Sequence, residues 1–235
     1  PYGNADALRK AITVNTAAFL VEPIQGENGI IVPPAGYLKQ CAEICRENNV
    51  LLICDEIQTG MGRTGKFLAS DHENVKPDAL VLGKALGGGL LPVSAFLARK
   101  DVMDVFTPGD HGSTFGGNPL AATVGANALD ILFRDHLIEQ AQTLGAYFLE
   151  SLKKIRSPLI VDVRGKGLLL GVEIDSRYYS AREICLRLLK QGILSKETHG
   201  TVIRFAPPLV ITKEQIDLAL HKIAQVLAEA EVKVC

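Results

Sequence analysis

An aspartate and a lysine each stand just beyond a short apolar run. Asp55 follows VLLIC (50–54), and Lys84 follows ALVLG (79–83). A carboxylate leaving a buried strand is costly unless it is paired or hydrogen bonded. Ligands of open α/β sheets gather outside the carboxyl ends of the strands. Asp55 is therefore either an acid facing a ligand, or a helix N-cap or loop ion pair. Lys84 lies in LGKALGGG (82–89), where small neighbours let a bulky ligand approach closely. In partly dry surroundings a lysine loses basicity and becomes a Schiff-base nucleophile; otherwise it is a solvated lysine in a flexible turn. A nucleotide-binding P-loop is disfavoured, because that loop needs its glycines before the lysine and Ser or Thr after it. Here Ala85 follows and the glycines come later.

Together the two residues say more. They are 29 positions apart, which leaves room for a helical or loop excursion and sets an acid and an amine on one edge of one sheet. Pyridoxal phosphate needs that pair, a lysine for its aldehyde and a carboxylate to keep its ring nitrogen protonated. Arg204 interrupts the apolar segment VIRF (202–205), where a guanidinium wants a planar anionic partner. Ser113 and Thr114, beside Gly112, suit a phosphate or a plain hydroxyl turn.

The elements around these residues change character along the chain. Runs at 17–21, 50–54, 79–82 and 93–98 are short and apolar throughout, which predicts parallel strands buried on both faces. A helix is expected over 35–48, after Pro33-Pro34, with Cys41 and Cys45 on one face. Later, long helices are predicted over 118–134 and 136–156, then a β-pair at 160–163 and 167–174. A helix over 180–191 ends at Gly192. A strand covers 202–206, and a last helix over 213–230 opens with Thr212 and Gln215 in capping-box spacing. The expected organisation is α/β over 1–125 followed by a smaller α+β unit over 126–235.

Composition excludes several classes. With 25 Lys+Arg against 26 Asp+Glu, the net charge of −1 gives no basic excess for nucleic acid. Apolar residues at 47% and charged ones at 22% exclude disorder. No apolar run is long enough for a membrane helix. The cysteines Cys41, Cys45, Cys54, Cys185 and Cys235 are odd in number, lack a CxxC and are read as reduced thiols rather than zinc ligands, suited to cytoplasm or mitochondrial matrix. His111, His199, Arg63 and Arg164 are read as structural, and Arg99-Lys100-Asp101 as a solvated turn.

Three blocks, VLLICDEIQTGMGRTG (50–65), LGKALGGGLLP (82–92) and HGSTFGGNPL (111–120), resemble the class III pyridoxal-phosphate aminotransferases. VEPIQGENGIIVPPAGY (21–37) and KETHGTVIRFAPPLV (196–210) resemble most closely the members that act on ornithine. The resemblance covers essentially the whole sequence. It implies a fold type I α/β architecture, a partial large domain with a mostly parallel sheet plus a C-terminal α+β small domain. It implies pyridoxal 5'-phosphate held by Lys84, Asp55, Gln58 and Thr114, with Ser113 a weaker candidate and Thr114 serving the neighbouring subunit. Lys84 and Asp55 would be catalytic, Lys84 also shuttling a proton. Arg204 would grip a substrate carboxylate and Glu27 would pair with it in the other half-reaction, or the two would form a plain inter-domain salt bridge. Glu22 would sit near the pocket.

The implied activity is transfer of the δ-amino group of L-ornithine to 2-oxoglutarate by a homodimer or higher homo-oligomer, with no nucleic-acid or membrane partner. Acetylornithine or another ω-amino acid is the alternative substrate. The family's glycine-rich phosphate loop, ring-stacking aromatic, and substrate-binding tyrosine and arginine have no counterpart here. A chain starting at Pro1 is thus expected to hold the cofactor weakly and to expose a sheet edge; a non-catalytic dimerisation fragment is the reading from another class.

Overall fold

A computed structural model describes residues 1–231; Cys235 lies outside the described residues. The chain resolves into two compact units. The first comprises Pro1–Pro23, Pro33–Met61 and Phe67–Asp135; the second comprises Ile24–Val32, Gly62–Lys66 and the described residues from His136 onward.

The first unit contains α1 (Ala5–Ala11), β1 (Ala18–Val21), α2 (Tyr37–Glu47), β2 (Leu51–Asp55), β3 (Ala79–Leu82), β4 (Ala95–Ala98), α3 (Lys100–Met103) and α4 (Pro119–Arg134). The boundary expected near residue 125 falls inside α4. The strands form one sheet in the order β1-β2-β3-β4. The β1–β2 and β2–β3 pairs are parallel, whereas β3–β4 is antiparallel. This corrects the expectation that 93–98 is a further parallel strand. The link from β3 to β4 holds only a 3-10 turn, Lys84–Gly87, and no helix to carry the chain back across the sheet. The expected solvated turn at Arg99-Lys100-Asp101 instead opens α3, with the exposed Arg99 paired to Asp78 and Asp101.

Helix α2 shows why such a segment folds. Tyr37, Leu38, Cys41, Ile44 and Cys45 recur at helical spacing and are all buried. They share a core cluster with Val21, Leu52 and Cys54 of the strands. Each fully buried Leu or Ile side chain contributes about 1.5–3 kcal/mol.

The second unit holds α5 (Leu137–Lys154), β5 (Ile160–Lys166), β6 (Leu169–Ile174), α6 (Ala181–Lys190), β7 (Lys196–Thr198), β8 (Val202–Phe205) and α7 (Lys213–Glu231). Its sheet runs β5-β6-β8-β7 and is antiparallel throughout. Helix and sheet residues such as Phe148, Leu170, Leu188, Ile203 and Leu227 form its core. Strand β7 went unanticipated because Lys-Glu-Thr carries no apolar signal. Ser180 and Glu183 close a capping box at α6, and Thr212 and Gln215 exchange main-chain bonds ahead of α7 at 3.0 and 3.3 Å. Gly167 has φ +53 and a Cβ there would lie 2.3 Å from the Thr64 carbonyl carbon; one on Gly145 would lie 2.2 Å from that of Gly167. The α5–turn approach is therefore a backbone-on-backbone contact.

Candidate functional site

The parallel pairing of β2 and β3 places Asp55 opposite Val81, and Glu56 N–H donates to the Val81 carbonyl at 2.9 Å. Lys84 follows Val81 by three residues, so acid and amine leave neighbouring strands at the same sheet edge. Neighbouring strands lie about 4.8 Å apart. Asp55 is half-buried; its Oδ1 accepts the Ile57 N–H at 3.0 Å, and its Oδ2 has no partner among the described residues. Lys84 is exposed, takes φ +43, and its ammonium makes no hydrogen bond or ion pair among the described residues. A non-glycine residue in that left-handed region is uncommon. The turn is braced from behind by α4, since a Cβ on Gly125 would sit 3.6 Å from the Leu86 carbonyl oxygen.

The carboxylate next to Asp55 has the opposite character. Glu56 is 1% exposed. It accepts the Ala69 N–H at 2.9 Å and the Ser70 N–H at 2.8 Å, together with the Thr59 hydroxyl. It thus caps the start of the 3-10 turn Ala69–Glu73 and closes the loop that leaves β2. Sequence reasoning passed over Glu56, because the run 50–54 is apolar at every position and does not show which of its two faces lies deeper. Leu52 and Cys54 are the buried positions of β2, and Glu56 continues their alternation while Asp55 does not.

The remaining candidates of the first unit lie on its loops. Gln58 is half-buried within the loop after β2. Ser113 and Thr114 sit in the exposed segment before α4. Ser113 Oγ accepts the Gly116 N–H at 2.9 Å, whereas the Thr114 hydroxyl makes no hydrogen bond among the described residues. Asn118 caps α4 through the Ala121 N–H at 2.8 Å. Glu22 is half-buried, and its main-chain carbonyl accepts the Tyr2 hydroxyl at 2.9 Å. Burial pushes the Tyr2 hydroxyl far above its ordinary range.

Glu27 and Arg204 belong to the second unit, and the fold brings them together. Arg204 Nη1 donates to Glu27 Oε1 at 2.6 Å, and Lys196 Nζ stands 3.6 Å from Glu27 Oε2. The Arg204 side chain is 18% exposed and that of Glu27 57%, so the guanidinium is the more enclosed partner of the pair. Arg63 donates through Nη1 to the carbonyls of Leu168, just before β6, at 3.1 Å and of Pro207, just after β8, at 2.5 Å. Burial, reinforced by the charge of Arg204, pulls the Arg63 guanidinium down to about 10.

Other reactive groups are committed or inert. Cys41, Cys45, Cys54 and Cys185 are free and buried. Burial pushes all four thiols up, Cys45 to about 11, which suppresses thiolate chemistry. His111 and His199 are exposed. Among the described residues no group of three or more His, Cys, Asp or Glu could hold a metal ion, and no helix is long and apolar enough to cross a membrane.

Comparison with known proteins places this geometry in context. The family model "Aminotransferase class-III" matches residues 3–227. The ornithine aminotransferase of Brevibacillus brevis is 56% identical over 231 residues, 98% of this chain and 57% of its own length. An ornithine aminotransferase structure from Toxoplasma gondii, described as showing partial occupancy of PLP at the active site, superposes with TM-score 0.96 at 50% identity, over 99% of this chain and 55% of its own. An acetylornithine aminotransferase from Elizabethkingia anophelis superposes with TM-score 0.92, also at 50% identity, over 97% of this chain and 59% of its own. The chain thus spans little more than half the length of each of these proteins.

Proposed function

The chain belongs to the class-III aminotransferase family, and we propose that the whole protein containing it moves the δ-amino group of L-ornithine to 2-oxoglutarate, giving glutamate semialdehyde and glutamate. The observation that carries the reading is the exit of Asp55 and Lys84 from adjacent parallel strands in the register Asp55↔Val81. The residues fit pyridoxal 5'-phosphate: an uncommitted ammonium and an uncommitted carboxylate oxygen stand at one sheet edge. When bound, that cofactor supplies an aldehyde for the amine and a ring that disperses the electron pair left when a proton departs.

Each residue then has a task. Lys84 supplies the amine that holds the aldehyde and afterwards moves the proton at the reacting carbon. Asp55 keeps the ring nitrogen protonated, and Gln58 hydrogen-bonds near the ring's phenolic oxygen. Thr114, with Ser113 as the lesser contributor, offers a hydroxyl to the cofactor phosphate of a second subunit in a homodimer or higher homo-oligomer. Arg204 grips the carboxylate of glutamate or 2-oxoglutarate with planar, bidentate geometry. Glu27 covers Arg204 when the substrate offers a terminal amine instead, and Glu22 lies near the pocket. Reduced, buried thiols suit a cytoplasmic setting.

Acetylornithine is the second reading, supported by the 50% identity to the Elizabethkingia enzyme. The test uses the full-length protein with pyridoxal phosphate. Borohydride reduction followed by peptide mapping is expected to leave a phosphopyridoxyl group on Lys84, and Lys84→Ala to abolish both label and turnover. Turnover of N-acetylornithine without turnover of ornithine would move the assignment to the second reading. Absence of label at Lys84 would remove the transaminase reading and favour a dimerisation module.

A further inference from the structure

Glu27 rides on a loop whose backbone is under strain. The segment is closed by an antiparallel bridge between Gln25 and Ile31, with N–H···O distances of 3.1 and 2.9 Å. Inside it, Gly29 takes φ +104 and Ile30 takes φ +53. A β-branched residue in the left-handed region is a genuine outlier, and surrounding structure has to over-determine it. Two sets of contacts do so. Ile30 is fully buried in a cluster with Ile24 and Leu169, and a Cβ on Gly171 would meet it at 3.1 Å. The other set is the Arg164 guanidinium. Its Nε donates to the Gly29 and Ile30 carbonyls at 3.1 Å each, and its Nη2 to Gly29 at 2.8 Å. Its Nη1 is anchored by Asp162 at 2.8 Å and Glu173 at 2.6 Å. The Thr198 hydroxyl holds the carbonyl of Glu27 itself.

We propose that Arg164 is a positioning residue for the pairing of Glu27 with Arg204. It pins the strained loop so that Glu27 leaves and rejoins Arg204 by side-chain rotation alone, over a backbone that stays still. The planar fork suits this task, since one guanidinium reaches two carbonyls of the loop and two carboxylates of the β5–β6 pair. Without it the loop relaxes away from the φ of Ile30, and the Glu27 carboxylate spends less time on Arg204. Only the half-reaction that needs Arg204 covered then suffers. The inference rests on the proposed ornithine reading and deepens it.

The experiment is single-turnover kinetics on the full-length holoenzyme, with L-ornithine and L-glutamate measured separately. The readout is the ratio of their kcat/KM values, which the fraction of active protein does not affect. Arg164→Gln is expected to lower the ornithine-to-glutamate ratio at least fivefold, and Glu27→Gln to lower it further. Adding Arg164→Gln to Glu27→Gln is expected to change the ratio no more, because the two act through one contact. A ratio unmoved by Arg164→Gln, or one that falls as much in the Glu27→Gln background, overturns the proposal. If Arg164→Gln does not fold, Thr198→Val decides in its place: a fall in the ratio supports the pinned loop and an unchanged ratio overturns it. An unmutated holoenzyme that reacts with glutamate but not ornithine refutes the parent reading, and is distinguished from the other failures before any mutation is made.

Discussion

Glu56 offers the sharpest test of how the site is built. Its carboxylate is 1% exposed and accepts three hydrogen bonds, from the Ala69 and Ser70 amides and the Thr59 hydroxyl. Glu56→Gln keeps the volume but replaces one acceptor oxygen with an NH2 that confronts a donor. A hydrogen bond to a charged group contributes about 1.5–3 kcal/mol, and an orphaned buried donor costs a similar amount. One bond is lost outright and the others weaken, so the expected cost is about 3 kcal/mol, or about a hundredfold in the local opening equilibrium. Hydrogen exchange at the Ala69 and Ser70 amides reads it directly, and a urea titration reads the global share. Affinity for pyridoxal phosphate is expected to fall as well, because Asp55 and Gln58 flank Glu56 on the same loop. If exchange at both amides accelerates by less than threefold, the carboxylate is not what closes this loop.

Further predictions rest on separate parts of the structure. Burial raises Cys45 from 9.0 to about 11 and Tyr37 from 10.0 to about 12. The folded state therefore keeps protons that the unfolded chain gives up, so the contribution is fully present below pH 9 and is lost as pH climbs through 11 to 12. Urea midpoints measured from pH 8 to 11 should fall, with a shallower slope in Cys45→Val. Gly145→Ala forces a Cβ to within 2.2 Å of the Gly167 backbone and is expected to cost at least about 2–3 kcal/mol, visible as a lowered melting temperature; an unchanged one would mean the α5–turn contact is looser than it looks. Thr114→Val, at an exposed hydroxyl with no partner among the described residues, should leave melting of the cofactor-free protein unchanged while weakening cofactor retention in equilibrium dialysis. Equal retention would take Thr114 out of the phosphate site.

Much of this was legible before the coordinates. Continuous apolar runs ending at Asp55 and Gly83 mark the strands, but not the burial expected of both faces: β2 alternates buried with half-buried residues, and Leu20, Phe96 and Leu97 of the outer strands are exposed. Helical spacing in 37–47 marks the face that α2 buries. Local chemistry also sufficed for the cap at Thr212, because its partner Gln215 lies three residues on; the box of Ser180 with Glu183 has the same spacing and went unread. The antiparallel turn of β4 was not legible: 93–98 has the composition of its parallel neighbours, and only the absence of a crossover helix reverses it. Strand β7 was hidden for the converse reason, having three polar residues that become a strand only when β8 supplies partners for their backbone groups.

Residue types and spacing alone determined that an acid and an amine leave successive strands and that an arginine interrupts an apolar one. Tertiary structure alone decided which of two adjacent carboxylates is buried, and that Glu27, 177 positions from Arg204, lies 2.6 Å from it. It also decided that the Arg164 guanidinium reaches the Gly29 and Ile30 carbonyls of the loop that carries Glu27. Apolar runs and helical spacing are local patterns that can be read along the chain. A contact between distant segments depends on how the whole backbone closes, and no local pattern encodes that.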